Sequence, residues 1–256
     1  MNIAFCISGH ARTYKHLHQN YLDFHSHISK YGNIDVFAAL WDTQNTFHSW
    51  SAAHGLLDGR TCGEYLNEDE IKKHFHASKV VLFPYSFYDS PWSPLCCHKL
   101  TSVPYSWDAR GISPNGIVHS AKMLFLIFQA NMLKSYSEQF TTYDLVFRLR
   151  PDMILNKEVY TRIDFNNLDF NNLYRFNNDD RFAFGSSQIM DKYSSSILQI
   201  AHAYNNNIFG DPESVQQTCI EMCVHKDQLK TIEDFGPLLG DNMQIRVQKN
   251  DTGIQK

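Results

Sequence analysis

Two arginines and an aspartate lie at the end of an apolar segment, residues 143–149, that is predicted to be a β-strand. Side chains alternate in a regular strand, so Arg148, Arg150 and Asp152 would share one face. Two cations and a carboxylate are costly to bury without partners. A diphosphate, with or without Mg²⁺ or Mn²⁺ on Asp152, would satisfy all three groups. The alternative is a structural ion pair, because ion-pair networks also collect such charges.

A second candidate is the turn Ser8-Gly9-His10-Ala11-Arg12, which follows the apolar residues 2–8. A glycine lets a ligand approach the backbone, and an arginine can form paired hydrogen bonds to a phosphate. The turn matches neither the GxGxxG nor the Walker pattern, which disfavours simple dinucleotide or P-loop chemistry. Taken alone, it could equally be an ordinary strand–helix turn with an arginine in solvent.

Asp180 and Glu213 are the candidate catalytic carboxylates. Asp179 and Asp180 precede a short apolar run, residues 181–185, and could orient an acceptor hydroxyl or act as a general base. Glu213 follows Pro212 at a predicted helix start. The alternatives are a polar turn for the aspartates and a carboxylate favoured by the helix dipole for Glu213.

Apolar segments with strand and helix periodicity alternate along the chain, which predicts an α/β domain with a mostly parallel sheet. Ligands of such domains bind at the carboxyl ends of the strands. The Pro- and Gly-rich stretch 84–116 is too long for an ordinary loop, so it could be an active-site lid, and the alternatives are a surface excursion or a disordered segment. The predicted strands are 2–8, 34–41, 79–83, 143–149 and 181–185, and the predicted helices are 14–30, one beginning near 67, 117–138, 187–204 and 212–224.

Composition excludes several classes of protein. The 256 residues suit one large domain, and 43% hydrophobic residues can bury a sizeable core. With 23 Lys and Arg against 27 Asp and Glu, and no long basic run, nucleic-acid binding is disfavoured. No apolar run approaches the roughly 20 residues that span a bilayer, and the first residues do not look like a signal peptide, so we expect a cytoplasmic protein with no transmembrane segment.

The six cysteines are irregularly spaced and lack a CxxC pair, which favours reduced thiols. A zinc site is the alternative. Its ligands would come from Cys96, Cys97, His98, Cys219, Cys223 and His225.

The order of four segments resembles a known group of proteins. The segments are AFCISGHARTY, DVFAALWD, YDLVFRLRPDMIL and DDRFAFGS. They resemble bacterial and viral glycosyltransferase-like proteins, of which the WavE-like lipopolysaccharide-synthesis proteins are one group. The resemblance covers residues 2–42 and 119–215 and leaves 43–118 unmatched.

This resemblance implies a GT-A-like, Rossmann-like fold formed by one domain over residues 1–256. Residues 1–155 would form a nucleotide-binding half and 156–256 an acceptor-binding half. Asp152 would occupy the place of the metal-binding Asp-x-Asp motif, with Mn²⁺ or Mg²⁺ as the cofactor. Because Arg150 stands where the first aspartate would be, a single carboxylate remains for the metal. The implied nucleotide-sugar-binding residues are Ser8, Gly9, Arg12, Asp42, Lys122, Arg148, Arg150 and Asp152.

The predicted function is transfer of a sugar from a nucleoside-diphosphate sugar to a hydroxyl of a glycan or lipid-linked acceptor. Asp180, or alternatively Glu213, would deprotonate that hydroxyl in an inverting reaction. One alternative is a sulfotransferase-like enzyme, whose nucleotide carries a 3′-phosphate and needs no metal. Another is a non-catalytic protein that binds nucleotide sugars or glycans.

Overall fold

The computed structural model describes residues 1–12, 14–43, 65–84, 115–175, 181–206 and 212–231, with the backbone alone at 115–119, 204 and 212. Seven described strands form one sheet with the order β3-β2-β1-β4-β6-β5-β7. The strands are β1 Asn2–Gly9, β2 Asn33–Trp41, β3 Lys79–Phe83, β4 Leu145–Leu149, β5 Leu173–Arg175, β6 Phe182–Gly185 and β7 Leu229–Thr231.

The sheet is mixed and mostly parallel, as predicted. β1 pairs in parallel with β2 and with β4, and β2 pairs in parallel with β3. β6 is antiparallel to both β4 and β5, and β5 pairs in parallel with β7. Strands at the centre of such a sheet are covered on both faces, which explains the continuous apolar runs of β1 and β2.

Helices cover both faces of the sheet. The helices are α1 His18–Ile28, α2 Glu68–Phe75, α3 Asn115–Ser137, α4 Lys157–Tyr160, α5 Ser187–Ser194, α6 Ile200–Asn205 and α7 Pro212–Glu221. Short 3₁₀ turns occupy Tyr14–Leu17, Ser195–Gln199 and Lys226–Gln228. α1 and α2 pack on one face, and α3, α5, α6 and α7 pack on the other.

Alternation along β1 separates two kinds of core. Ile3, Phe5 and Ile7 point to the α1 side, whereas Ala4 and Cys6 point to the α3 side. The small side chains let α3 approach the sheet closely. The large ones on the other side build an aromatic core around Phe147, whose ring lies 5.3 Å from those of both Phe5 and Phe184, centroid to centroid.

Element boundaries differ from the predictions where helices start or break. The predicted helix 14–30 begins with a 3₁₀ turn and becomes α-helical at His18, and the predicted helix 187–204 is divided by the 3₁₀ turn before α6. The predicted helix start near 67 is confirmed, and Asn67 caps that helix, because its side chain accepts a hydrogen bond from the Glu70 amide at 3.1 Å. The long stretch 84–116 lies mostly outside the described residues.

The chain changes direction across the sheet between β1 and β4. From β1 the chain passes through α1 to β2 and then to β3, on one side of β1. From β4 it continues to strands on the other side. The carboxyl ends of β1 and β4 therefore flank a crevice of the kind where α/β sheets bind ligands. Ile7 lies opposite Leu149, so Gly9 reaches the residues just beyond β4.

Within the described part of the chain, no helix is both long enough and apolar enough to cross a membrane.

Phe147→Ala should lower the free energy of unfolding by about 3–5 kcal/mol, because it removes the centre of a packed aromatic core. Urea unfolding would measure the change. Phe140→Ala is the matched control, since Phe140 is 83% exposed, and its effect should stay within about 0.5 kcal/mol. Equal effects of the two substitutions would contradict this description of the core.

Candidate functional site

The turn after β1 lies unusually close to the side chain of Arg150, the first residue after β4. Gly9 has a φ of +130°, a conformation that L side chains rarely adopt. A Cβ on Gly9 would lie 3.1 Å from Cγ of Arg150 and 3.5 Å from Cδ of Pro151. The turn then continues into the 3₁₀ segment, where the Tyr14 amide donates to the Ala11 carbonyl at 2.8 Å. Glycine is needed here for both its conformation and its size.

A β-turn follows β4 and carries Asp152. The strand ends at Leu149, and the Met153 amide donates to the Arg150 carbonyl at 3.4 Å, which closes the turn. Pro151 occupies the second position of this turn, which its fixed φ favours. The prediction that Arg148, Arg150 and Asp152 alternate along one face of a strand is therefore wrong, because the strand ends at Leu149 and the other two residues lie in the turn.

Asp152 binds two arginines from two different strand ends. Its Oδ1 accepts a hydrogen bond from Nε of Arg150 at 2.5 Å, and its Oδ2 lies 3.5 Å from Nη2 of the same guanidinium. Oδ2 also accepts from Nη1 of Arg12 at 3.3 Å. The Asp152 side chain is 0% exposed, whereas those of Arg12 and Arg150 are 21% and 19% exposed. The carboxylate is thus fully buried, while each arginine keeps part of its side chain exposed.

The segment after Asp152 is tied to α1. Asn20 donates to the Leu155 carbonyl and accepts from the Leu155 amide, each at 2.8 Å. This reciprocal pair mimics a strand pairing and fixes the exit of the turn. The position of Asp152 therefore depends on α1 as well as on β4.

Arg148 is buried between the end of β1 and the residue that precedes β6. The residue is 1% exposed, and its guanidinium donates to the carbonyls of Arg181, at 2.6 Å, and Ser8, at 3.3 Å. These contacts tie β6 and β1 to β4. Ser8 is also fully buried. Both residues support the strand ends from within, and their predicted contact with a ligand stays a prediction.

His10 is the site residue that the sequence reasoning missed. Burial lowers its pKa well below 6.5, and the nearby cations Arg12, Arg150 and Lys122 lower it further, while Asp152 acts in the opposite direction. Its ring centroid lies 6.3 Å from that of Trp41, at the end of β2. The imidazole is therefore neutral at physiological pH and lies in a region with an excess of positive charge. The position of His10 between Gly9 and Arg12 was the sequence feature that could have identified it as a site residue.

The remaining predicted residues have different surroundings. Asp42 follows β2; its amide donates to Phe83 at 2.8 Å and its carbonyl accepts from Leu66 at 2.7 Å. Glu213 is exposed in the first turn of α7. Asp180 lies outside the described residues, but the carbonyl of the next residue, Arg181, accepts from the Arg150 amide at 3.0 Å.

The described residues do not fit a protein-bound metal at Asp152. Both carboxylate oxygens already accept hydrogen bonds from the guanidinium groups of Arg12 and Arg150. Mg²⁺ and Mn²⁺ favour several oxygen ligands, whereas no group of three or more His, Cys, Asp or Glu in the described ranges is arranged to hold a metal ion. The predicted metal requirement itself stays untested. Cys6, Cys219 and Cys223 are free thiols, and the other predicted zinc ligands from the cysteine-rich stretch at 96–98 lie outside the described residues.

Comparison with known proteins found no matching family and no matching curated protein. Among solved structures, the chain is similar to a glycosyltransferase involved in the glycosylation of the major capsid of PBCV-1. The two share 10% sequence identity, with a TM-score of 0.37, and the match covers 90% of this chain and 82% of that chain.

Gly9→Ala should destabilise the protein by about 1–3 kcal/mol, because a side chain is strained at this φ and must displace Arg150. Urea unfolding would measure the loss. Ser26→Ala, at an exposed position of α1, is the control and should change stability by less than about 0.5 kcal/mol. A Gly9→Ala protein as stable as the control would show that the turn is relaxed.

The neutral state of His10 predicts a pH dependence. The folded protein disfavours the proton on His10 and the unfolded chain does not, so stability should fall as the pH drops below about 6.5. His10→Gln should show a smaller fall between pH 7.5 and 5.5 in urea unfolding, since other histidines contribute equally to both proteins. Identical pH dependence in the two proteins would contradict the assignment.

Proposed function

We propose that this chain is a cytoplasmic glycosyltransferase that moves a sugar from a nucleoside-diphosphate sugar to a hydroxyl of a glycan or lipid-linked acceptor. The observation that carries the proposal is the cationic cluster of Arg12, Arg150 and Lys122 around His10, located at the point where strand order reverses. The order of sequence segments that resembles glycosyltransferase-like proteins supports the same class.

The charge of the cluster favours a dianion over a monoanion. Among the described residues, three cations and one carboxylate act on His10, so the positive charges outnumber the negative one there. A diphosphate carries matching negative charge, and arginines present paired donors in the geometry that phosphate oxygens need. The diphosphate is also the leaving group of sugar transfer, so the same cations would stabilise the charge that develops as the sugar departs.

The strand order places a crevice between the carboxyl ends of β1 and β4, where the ligand would bind. A diphosphate in the crevice between β1 and β4 would lie beside the turn at Gly9, where the stem of Arg150 packs against the backbone, and would contact the guanidinium groups of Arg12 and Arg150. The sugar would then extend towards the start of β6, next to Arg181. In this arrangement Asp180 is the proposed general base for the acceptor hydroxyl, and Glu213 is the alternative.

Stabilisation by nucleotides would test the donor class. At about 100 times its Kd, UDP or GDP should raise the free energy of unfolding by about 2.7 kcal/mol, because it binds only the folded protein. Arg150→Ala should weaken binding about tenfold or more, since a charge-assisted hydrogen bond is lost. Arg162→Ala, which removes an exposed arginine outside the cluster, is the matched control and should bind like the wild type.

Other outcomes would identify the alternatives. Stabilisation by an adenosine 3′,5′-bisphosphate and by neither UDP nor GDP would contradict the proposal and favour a sulfotransferase-like enzyme. Binding of UDP or GDP without any hydrolysis or transfer of the corresponding donor sugars would favour a non-catalytic binding protein. Donor hydrolysis that Asp180→Asn abolishes, with nucleotide binding unchanged, would support the assigned base.

A further inference from the structure

We infer that Asp152 is a positioning residue that holds Arg12 and Arg150 as a two-arginine clamp, and that this clamp binds a diphosphate without a divalent metal. The inference rests on the proposed function in one respect, since it takes the ligand to carry a diphosphate. It assigns Asp152 a different role from the metal ligand that the sequence resemblance implies.

The contacts of Asp152 are those of a group that orients guanidinium planes. Arg150 meets both carboxylate oxygens through Nε and Nη2, and Arg12 meets Oδ2 through Nη1. A guanidinium is planar, so two hydrogen bonds from Arg150 to one carboxylate fix the plane of the group. The aliphatic stem of Arg150 is held as well, because it lies against the backbone at Gly9.

Burial separates the role of the carboxylate from that of the cations. Asp152 is fully buried, while each arginine keeps about a fifth of its side-chain surface exposed. Of the three side chains, only those of the two arginines have exposed surface that an incoming anion could contact. Because the arginines are already oriented, the ligand loses less affinity to the ordering of flexible side chains.

The same arrangement is unfavourable for a cation. A divalent ion at Asp152 would have to displace two guanidinium groups, and it would lie among the cations that act on His10. With Arg150 in place of a second aspartate, the local sequence supplies a positive charge where a metal site would supply a ligand. The arginines thus provide the charge stabilisation that a metal ion provides elsewhere.

Binding of inorganic pyrophosphate in the presence of EDTA tests the clamp directly. Isothermal titration calorimetry of the full chain should give one site per protein. Raising the salt concentration should weaken binding, because the site works through charge. Absence of pyrophosphate binding in EDTA would overturn the inference.

Asp152→Asn discriminates positioning from simple electrostatics. Removing a negative charge would tighten pyrophosphate binding if charge alone mattered. If Asp152 positions the arginines, the substitution should weaken binding by about tenfold, because the amide cannot accept both sets of hydrogen bonds. Tighter binding by this variant would overturn the inference, and Arg162→Ala is the control that should leave the Kd unchanged.

Thermal unfolding without ligand would show whether Asp152→Asn folds. If it does not, Arg150→Lys provides a second test of the clamp. Lysine retains the charge but cannot make the paired contact to Asp152. We expect about tenfold weaker pyrophosphate binding in this variant. An unchanged Kd would mean that the fork geometry is irrelevant and would contradict the clamp.

Binding of Mn²⁺ alone, followed by electron paramagnetic resonance, tests the competing role. We expect the same Mn²⁺ titration for the wild type and Asp152→Asn. A stoichiometric Mn²⁺ site that disappears in the variant would overturn the inference. Pyrophosphate binding in EDTA without hydrolysis of any nucleoside-diphosphate sugar would leave the clamp standing and remove the proposed function, so the two failures are distinguishable.

Discussion

The buried carboxylate of Asp152 is the interaction on which the geometry of the site depends. A charged group with no exposed surface must be paired and hydrogen-bonded. Its partners Arg12 and Arg150 come from opposite sides of the crevice, and Arg12 and Asp152 are 140 residues apart in the sequence. Satisfying one carboxylate therefore brings the turn after β1 against the turn after β4, and it fixes where both guanidinium groups point.

The sheet makes this contact possible because β1 and β4 are direct neighbours with parallel register. β1 extends beyond the end of β4, so Gly9 lies over the turn that carries Asp152, and its lack of a side chain leaves room for the Arg150 stem. Arg148 contributes from the interior, where its hydrogen bonds join three strands. The conformation of Gly9, the packing of the Arg150 stem and the hydrogen bonds of Arg148 thus all hold the ends of β1 and β4 together.

The sequence was sufficient to predict the alternation of strands and helices, because buried parallel strands are apolar runs and helix starts carry recognisable caps such as Asn67. It also indicated that Arg12, Arg150 and Asp152 belong together. It did not predict the turn at Pro151, since periodicity assumes that a strand continues. The neutral His10 could not be predicted, because its pKa depends on cations from three separate chain segments.

The charged groups around His10 do not have the arrangement expected of residues that only stabilise the fold. Replacing a buried ion pair by apolar residues is often neutral or stabilising, so the pairing of Asp152 is weak as a reason for the fold. The cluster goes further than a pair, because among the described groups that act on His10 the cations Arg12, Arg150 and Lys122 outnumber the carboxylate of Asp152, and their repulsion opposes folding. Keeping His10 neutral avoids a fourth positive charge without removing a hydrogen-bonding group. If the crevice binds an anion, as we propose, that anion would relieve the repulsion and add charge-assisted hydrogen bonds. The repulsion in the free protein would then contribute to the affinity for a ligand of opposite charge.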